Sequence, residues 1–207
     1  LCSTLGKGQK ILILNNPCNP TGAVYPDQEL QALAKVCREE EVIVISDEIY
    51  SLIDFRKEKF SSIGRYLPES TVVTGGMSKA FSAGGWRLGL AFVPDAMSDM
   101  IKPWNALISE TFSCVNAPVQ YAALEAFSQF EALRPQIQRF TEIHSVAGSY
   151  LFKRFMQMDL NCPEPEGAFY LFPDFQNHRE ILKKRGITKC HELVDDLLNA
   201  RQVAMLP

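Results

Sequence analysis

No uninterrupted apolar run in this 207-residue chain is long enough to span a bilayer. The first ten residues, Leu1 to Lys10, lack the apolar core of a signal peptide. The six cysteines (Cys2, Cys18, Cys37, Cys114, Cys162 and Cys190) form no CxxC pair and no metal-like cluster. They are expected to be free thiols, mostly acting as small buried hydrophobes, in a reducing cytoplasmic setting. Three isolated histidines, His144, His178 and His191, offer no metal-ligand spacing and are expected on the surface or on helices. With 21 basic and 24 acidic residues the net charge is −3, without a basic stripe for nucleic acid or a charged block typical of a tail. Internal repeats and low-complexity stretches are also absent.

What is present is an ordinary globular composition, 46% apolar and 22% charged. It suffices for one large domain or one and a half. Four short apolar runs read as strands: "ILIL" (11–14), "VIVIS" (42–46), "TVVTG" (71–75) and "LGLAFV" (88–93), the last stopped by Pro94. Pro26 opens a helical pattern with Leu30, Leu33, Ala34 and Cys37 on one face. Continuous apolar strands linked by helices predict a sheet covered on both faces and largely parallel. Ligands of such sheets bind beyond the carboxyl ends of the strands.

The remainder reads mostly as helix. One amphipathic segment covers Pro118 to Phe127, and a long one runs from Glu131 to about Met158. In the long one, Leu133, Ile137, Phe140, Ile143, Ala147, Tyr150 and Leu151 recur at helical spacing, and Pro135 falls in the expected first turn. "GAFYLF" (167–172) reads as a strand, His191–Arg201 as a helix and "VAML" (203–206) as a strand. A boundary near 150–160 then divides residues 1–150, part of a large α/β domain, from 151–207, part of a smaller α+β domain. The chain starts without Met and ends at "VAMLP", so it is expected to be a piece of a longer protein.

Three strand ends carry distinctive polar residues: Asn19 in "NPTG", Asp47 and Tyr50 in "SDEIY", and Lys79 and Arg87 in "GGMSKAFSAGGWRLG". On a parallel sheet they gather along one edge. Each has an ordinary alternative role. Asp47 suits a helix cap, Asn19 a turn before Pro20, Tyr50 the core, Lys79 the solvated surface, and Arg87 a pair with a surface acid. Together they match what pyridoxal phosphate needs: an amine for the aldehyde, a carboxylate for the pyridine nitrogen, and a guanidinium fork for the phosphate. A phenol or amide suits the ring oxygen.

The ordered trio "NNPCNPTG", "SDEIY" and "SKAFSAGGWRLG" resembles the class I/II aminotransferases, the fold-type I pyridoxal-phosphate enzymes. The likeness continues more loosely through "PEGAFYLF" to the end of the chain. It implies a three-layer α/β/α large domain plus part of a small domain, with pyridoxal 5'-phosphate as cofactor. Lys79 is then the Schiff-base lysine and the base that moves the proton. Asp47 faces the pyridine nitrogen, Tyr50 and Asn19 face the ring O3′, and Arg87 takes the phosphate. Many relatives have a serine three residues before the lysine, where this chain has Gly76, so phosphate contacts are expected to rest more on backbone N–H groups and Arg87.

The implied reaction is transamination between an amino acid and a 2-oxo acid. The same residue set also serves C–S lyases, aminocyclopropane-type synthases and 2-amino-3-oxoacid synthases. A pyridoxal-phosphate-binding regulator or an inactive relic is a third class, although a regulator would need a DNA-binding segment. The resemblance further implies a homodimer in the full-length form, because the family builds each site from both subunits. It also implies that segments before and after this chain complete the site, so the 207 residues alone are expected to lack activity. Substrate choice is not written in residues 108–118, which hold no second strong charge to select a dicarboxylate over an aromatic substrate.

Overall fold

In the computed structural model, which describes Gly8 and residues 10–207, four strands form one sheet in the order β1-β2-β3-β4. They are β1 (Lys10–Asn15), β2 (Val42–Asp47), β3 (Thr71–Gly76) and β4 (Gly89–Phe92). Strands β1, β2 and β3 are parallel, and β4 runs antiparallel to β3 with Gly76 opposite Gly89. The largely parallel α/β sheet expected from the apolar runs is therefore present. Cys2 lies outside the described residues.

Helix α1 (Asp27–Glu39) fills the crossover from β1 to β2. Pro26 is its N-cap, and Asp27 and Glu29 in its first turn complement the helix dipole. Leu30, Ala34 and Cys37 recur at helical spacing and are fully or almost fully buried. They pack on Leu14, Val42 and Val44 of the sheet and on Ile63 and Leu67 of the β2–β3 connection. Lys10 Nζ meets the Glu40 carboxylate at 2.9 Å and ties the start of β1 to the end of α1.

The opposite face is less covered than expected. Ile11 and Ile13 alternate outward from β1 and remain 64% and 72% exposed, because α1 covers only the face carrying Leu12 and Leu14. On β2 the corresponding Ile43 and Ile45 are half-buried.

Beyond β4 the chain is helical: α2 (Ile101–Thr111), α3 (Ala117–Ser128), α4 (Phe130–Gln157), α5 (Arg179–Lys184) and α6 (Cys190–Arg201). Helix α2 reaches into residues 108–118, with Pro103 in its first turn where a missing N–H is tolerated. Helix α4 begins before the expected start, so Pro135 lies inside it rather than in its first turn. Of its apolar stripe, Ile137 is buried and Leu133 and Phe140 half-buried, while Ile143, Tyr150 and Leu151 stay exposed.

Two expected strands are not formed. Residues 167–172 make only a bridge between Gly167 and Asp54. Their amides bond loops instead, Gly167 N–H to Gly22 and Ala168 N–H to Ile53, and Ala168 has φ 57°, which breaks an extended run. Residues 203–206 pair with no strand among the described residues, and Leu206 is 87% exposed. Cys114 and Cys190 are likewise exposed rather than buried, whereas Cys37 fits the small-hydrophobe reading. No helix of the structure is long and apolar enough to cross a membrane.

Leu30, with no exposed surface, is the centre of the α1–sheet core. Leu30→Ala should cost about 2–5 kcal/mol in denaturant-induced unfolding, as expected for a fully buried leucine.

Candidate active site at the carboxyl edge of the sheet

In-register parallel pairing sets the floor of the site. Asn15 lies opposite Asp47, and Asp47 opposite Thr74, so three strand ends stand side by side. The Asn15 amide donates to Asp47 Oδ2 at 3.2 Å, and its Oδ1 accepts the Asn19 N–H at 2.5 Å. The Ile49 N–H donates to the other Asp47 oxygen at 3.3 Å. Asn15 therefore joins two of the expected site residues, Asn19 and Asp47. It has no sequence signature of its own beyond standing at a strand end in an Asn-rich turn.

Lys79 and Tyr50 are also brought together. Lys79 Nζ lies 5.4 Å from the centre of the Tyr50 ring and 5.6 Å from that of Phe169. These are cation–π distances. Among the described residues, no carboxylate pairs with this half-buried amine. The turn that carries it is fixed on both sides by apolar anchors. Ala80 packs with Tyr50, Ile53, Ile137 and Ala168, while Met77 and Ala83 pack with Leu88 and Ala123. The Ser82 N–H closes the turn on the Lys79 carbonyl at 3.0 Å.

Phe169 and Tyr170 complete an aromatic wall. The Tyr50 and Tyr170 hydroxyls are 2.5 Å apart, and both rings meet Phe169. His144 of α4 also packs on Phe169, with ring centres 5.3 Å apart. Burial and the hydrogen bond with Tyr50 push the Tyr170 phenol up to about 12. The aromatic pair was visible in the sequence only as part of an expected strand.

Arg87 caps the short 3-10 helix Gly84–Trp86 that follows the Lys79 turn. It adopts a left-handed conformation, φ 54°, and donates to the Gly84 carbonyl at 2.8 Å. Its exposed side chain lines a cleft of about 420 Å³ with Trp86, Phe112 and Asn116. Among the described residues, no hydrogen bond links it to Lys79, Asp47 or Tyr50.

Two neighbours of the site explain local sequence choices. A Cβ on Gly76 would lie 2.7 Å from the Leu88 carbonyl oxygen and 3.1 Å from the Gly89 Cα, so the close β3–β4 approach requires glycine there. Glu48 points to the opposite side of β2 from Asp47 and accepts the Ser46 hydroxyl at 2.8 Å and the Ser62 hydroxyl at 2.5 Å. Burial raises its carboxyl above the ordinary 4.5; the two serine bonds oppose the rise, and the Asp47 charge adds to it.

Two tests follow from this geometry. Gly76→Ser should destabilise the chain by roughly 1–3 kcal/mol, read by thermal unfolding, because the added atoms meet backbone rather than a flexible side chain. Glu48 has a raised folded value, so its contribution to stability is complete below 4.5 and declines as pH rises through the folded value. Glu48→Gln should remove that declining limb from a plot of stability against pH.

Comparison with known proteins agrees with the architecture. The family model for aminotransferase class I and II matches residues 1–207. The chain is similar to an aspartate aminotransferase of Geobacillus stearothermophilus, 35% identical over 96% of this chain and 49% of that protein. An aspartate/prephenate aminotransferase of Thermus thermophilus is 36% identical over 80% of this chain and 42% of its own length. The solved aromatic aminotransferase of Pyrococcus horikoshii superposes with a TM-score of 0.84 at 29% identity, covering 100% of this chain and 52% of its own. The chain thus spans about half the length of the curated relatives it matches. The family match over every residue and the shared fold place this chain in the class I and II aminotransferase family.

Proposed function

We propose that this chain carries the cofactor-binding portion of a pyridoxal-5'-phosphate-dependent aminotransferase, acting on an amino acid and a 2-oxo acid, with Lys79 as the attachment residue. The observation that carries the reading is the Lys79 amine, free of any acid among the described residues, seated against Tyr50 and Phe169. Such an amine suits an aldehyde partner.

The donor set fits the cofactor. Asp47, held by the Asn15 amide and the Ile49 N–H, offers a carboxylate for a protonated ring nitrogen. Tyr50 and Asn19 offer a hydroxyl and an amide for the ring oxygen. Arg87, now bonded only to the Gly84 carbonyl, would offer a planar fork for the phosphate. When bound, pyridoxal 5'-phosphate supplies an electron sink for charge at the α-carbon of the amino acid. The protein's part is positional and acid–base. Lys79 Nζ would take the α-proton of the amino acid and hold it for return, and Asp47 would keep the ring nitrogen protonated.

In this reading residues 1–150 belong to the large domain and 151–207 to the small one. The full-length protein is then a homodimer whose remaining segments complete the substrate site. The half-length coverage of the relatives is consistent with such further segments in the full-length protein.

Borohydride treatment after addition of pyridoxal 5'-phosphate should fix one cofactor on Lys79, mapped by peptide mass. Lys79→Ala should abolish the label, and labelling elsewhere would overturn the assignment. In the full-length protein, turnover should require a 2-oxo acid; turnover without one would identify an elimination enzyme instead.

A further inference from the structure

Tyr170 is a second phenol in the site, in hydrogen-bond contact with Tyr50 and placed there by an unusually well-tied backbone. Its segment is anchored to loops that follow two different strand ends. The Glu166 and Gly167 amides donate to the Gly22 carbonyl at 2.8 and 3.0 Å, and the Ala168 amide donates to the Ile53 carbonyl at 2.8 Å. The Phe55 amide donates to the Glu166 carbonyl at 2.8 Å. Gly22 itself is pressed against the segment, since a Cβ there would lie 2.9 Å from the Tyr170 carbonyl oxygen. The Tyr170 ring then meets Tyr50 edge-on, with centres 5.5 Å apart and planes at 82°.

A phenol has one proton to donate and lone pairs to accept, and its hydrogen turns to suit its partners. A hydroxyl that accepts from one side is left to donate on the other, and polarised chains of this kind strengthen each member. We propose that Tyr170 is a positioning residue that acts through Tyr50: its hydroxyl donates into Tyr50 Oη and so directs the Tyr50 hydrogen toward the ring oxygen of the bound cofactor. This rests on the proposed cofactor reading for Tyr50. The Tyr170 phenol, pushed up to about 12 by burial and by the bond to Tyr50, stays protonated and able to donate at physiological pH. Tyr50 cannot hold that orientation alone, because its hydroxyl has no other partner among the described residues.

The test measures cofactor retention by equilibrium dialysis of the pyridoxal-5'-phosphate-loaded protein, for Tyr170→Phe, Tyr50→Phe and the double variant. Tyr170→Phe keeps the ring and its edge contacts, and circular dichroism checks the fold. It should weaken retention roughly three- to ten-fold, the range of one neutral hydrogen bond. In the Tyr50→Phe background the same change should have no further effect. Fluorotyrosine at position 170, a stronger donor, should tighten retention, which a purely structural role would not produce. Additive losses, or an unchanged constant for Tyr170→Phe, would overturn the proposal. Wild-type protein that captures no cofactor on Lys79 would instead sink the functional reading. Ultraviolet titration of the cofactor-free protein then still decides the tyrosine pair: Tyr50→Phe should lower the high-titrating phenol, and an unmoved titration counts against the bond.

Discussion

In-register parallel pairing of β1, β2 and β3 is the constraint on which the site depends. Parallel strands point all their carboxyl ends one way, so the Asn15–Asp47–Thr74 row is a consequence of backbone hydrogen bonding before any side chain acts. The pleat then sorts the side chains. Val44 and Ser46 face the α1 core, and Asp47 faces away. A slip of one residue would send the Asp47 carboxylate into that core and Ser46 to the site. The buried apolar set Leu14, Val42 and Val44 forbids the slip, so hydrophobic packing fixes the position of a charged group it never touches.

The strands place the floor, but the loops place the chemistry, and each loop is held by its own anchors. Lys79 stands between Met77, Ala80 and Ala83, which belong to two separate apolar clusters. The amine is therefore suspended between two small cores rather than carried on a free turn. Residues 166–170 are held by amide bonds to Gly22 and Ile53, and Gly167 is tight enough that a Cβ would fall 2.8 Å from the Ile53 carbonyl oxygen. Backbone amides that would have formed a strand are spent on loops, and this is what delivers Phe169 and Tyr170 to Lys79.

This division explains what was legible in the sequence. The strands and α1 follow from periodicity, because burial on one face dictates which positions are apolar. Asn19, Asp47, Tyr50 and Lys79 were legible as polar residues after apolar runs, since topology alone sends such residues to one edge. Asn15 was not, because its role is a contact to Asp47, 32 residues away, and an asparagine before a turn looks the same with or without it. Residues 167–172 have a strand's composition, yet composition does not say whether the amides find a neighbouring strand or a loop. Helix α2 was hidden by Pro103 and Asn105 and by Ser109 and Thr111 near its end, which suit turns equally well.

Arg87 is placed by the same kind of locally fixed backbone. Between Lys79 and Arg87 the chain turns through Ser82 at φ 53°, a short 3-10 helix at Gly84–Trp86 and Arg87 itself at φ 54°. The positive φ values are costly for residues with side chains and persist only where surrounding packing fixes them. Ala83 and Leu88 supply that packing on either side. The amine is thus held in the aromatic wall and the guanidinium in the cleft beside Trp86 and Phe112, with a stiff turn between them.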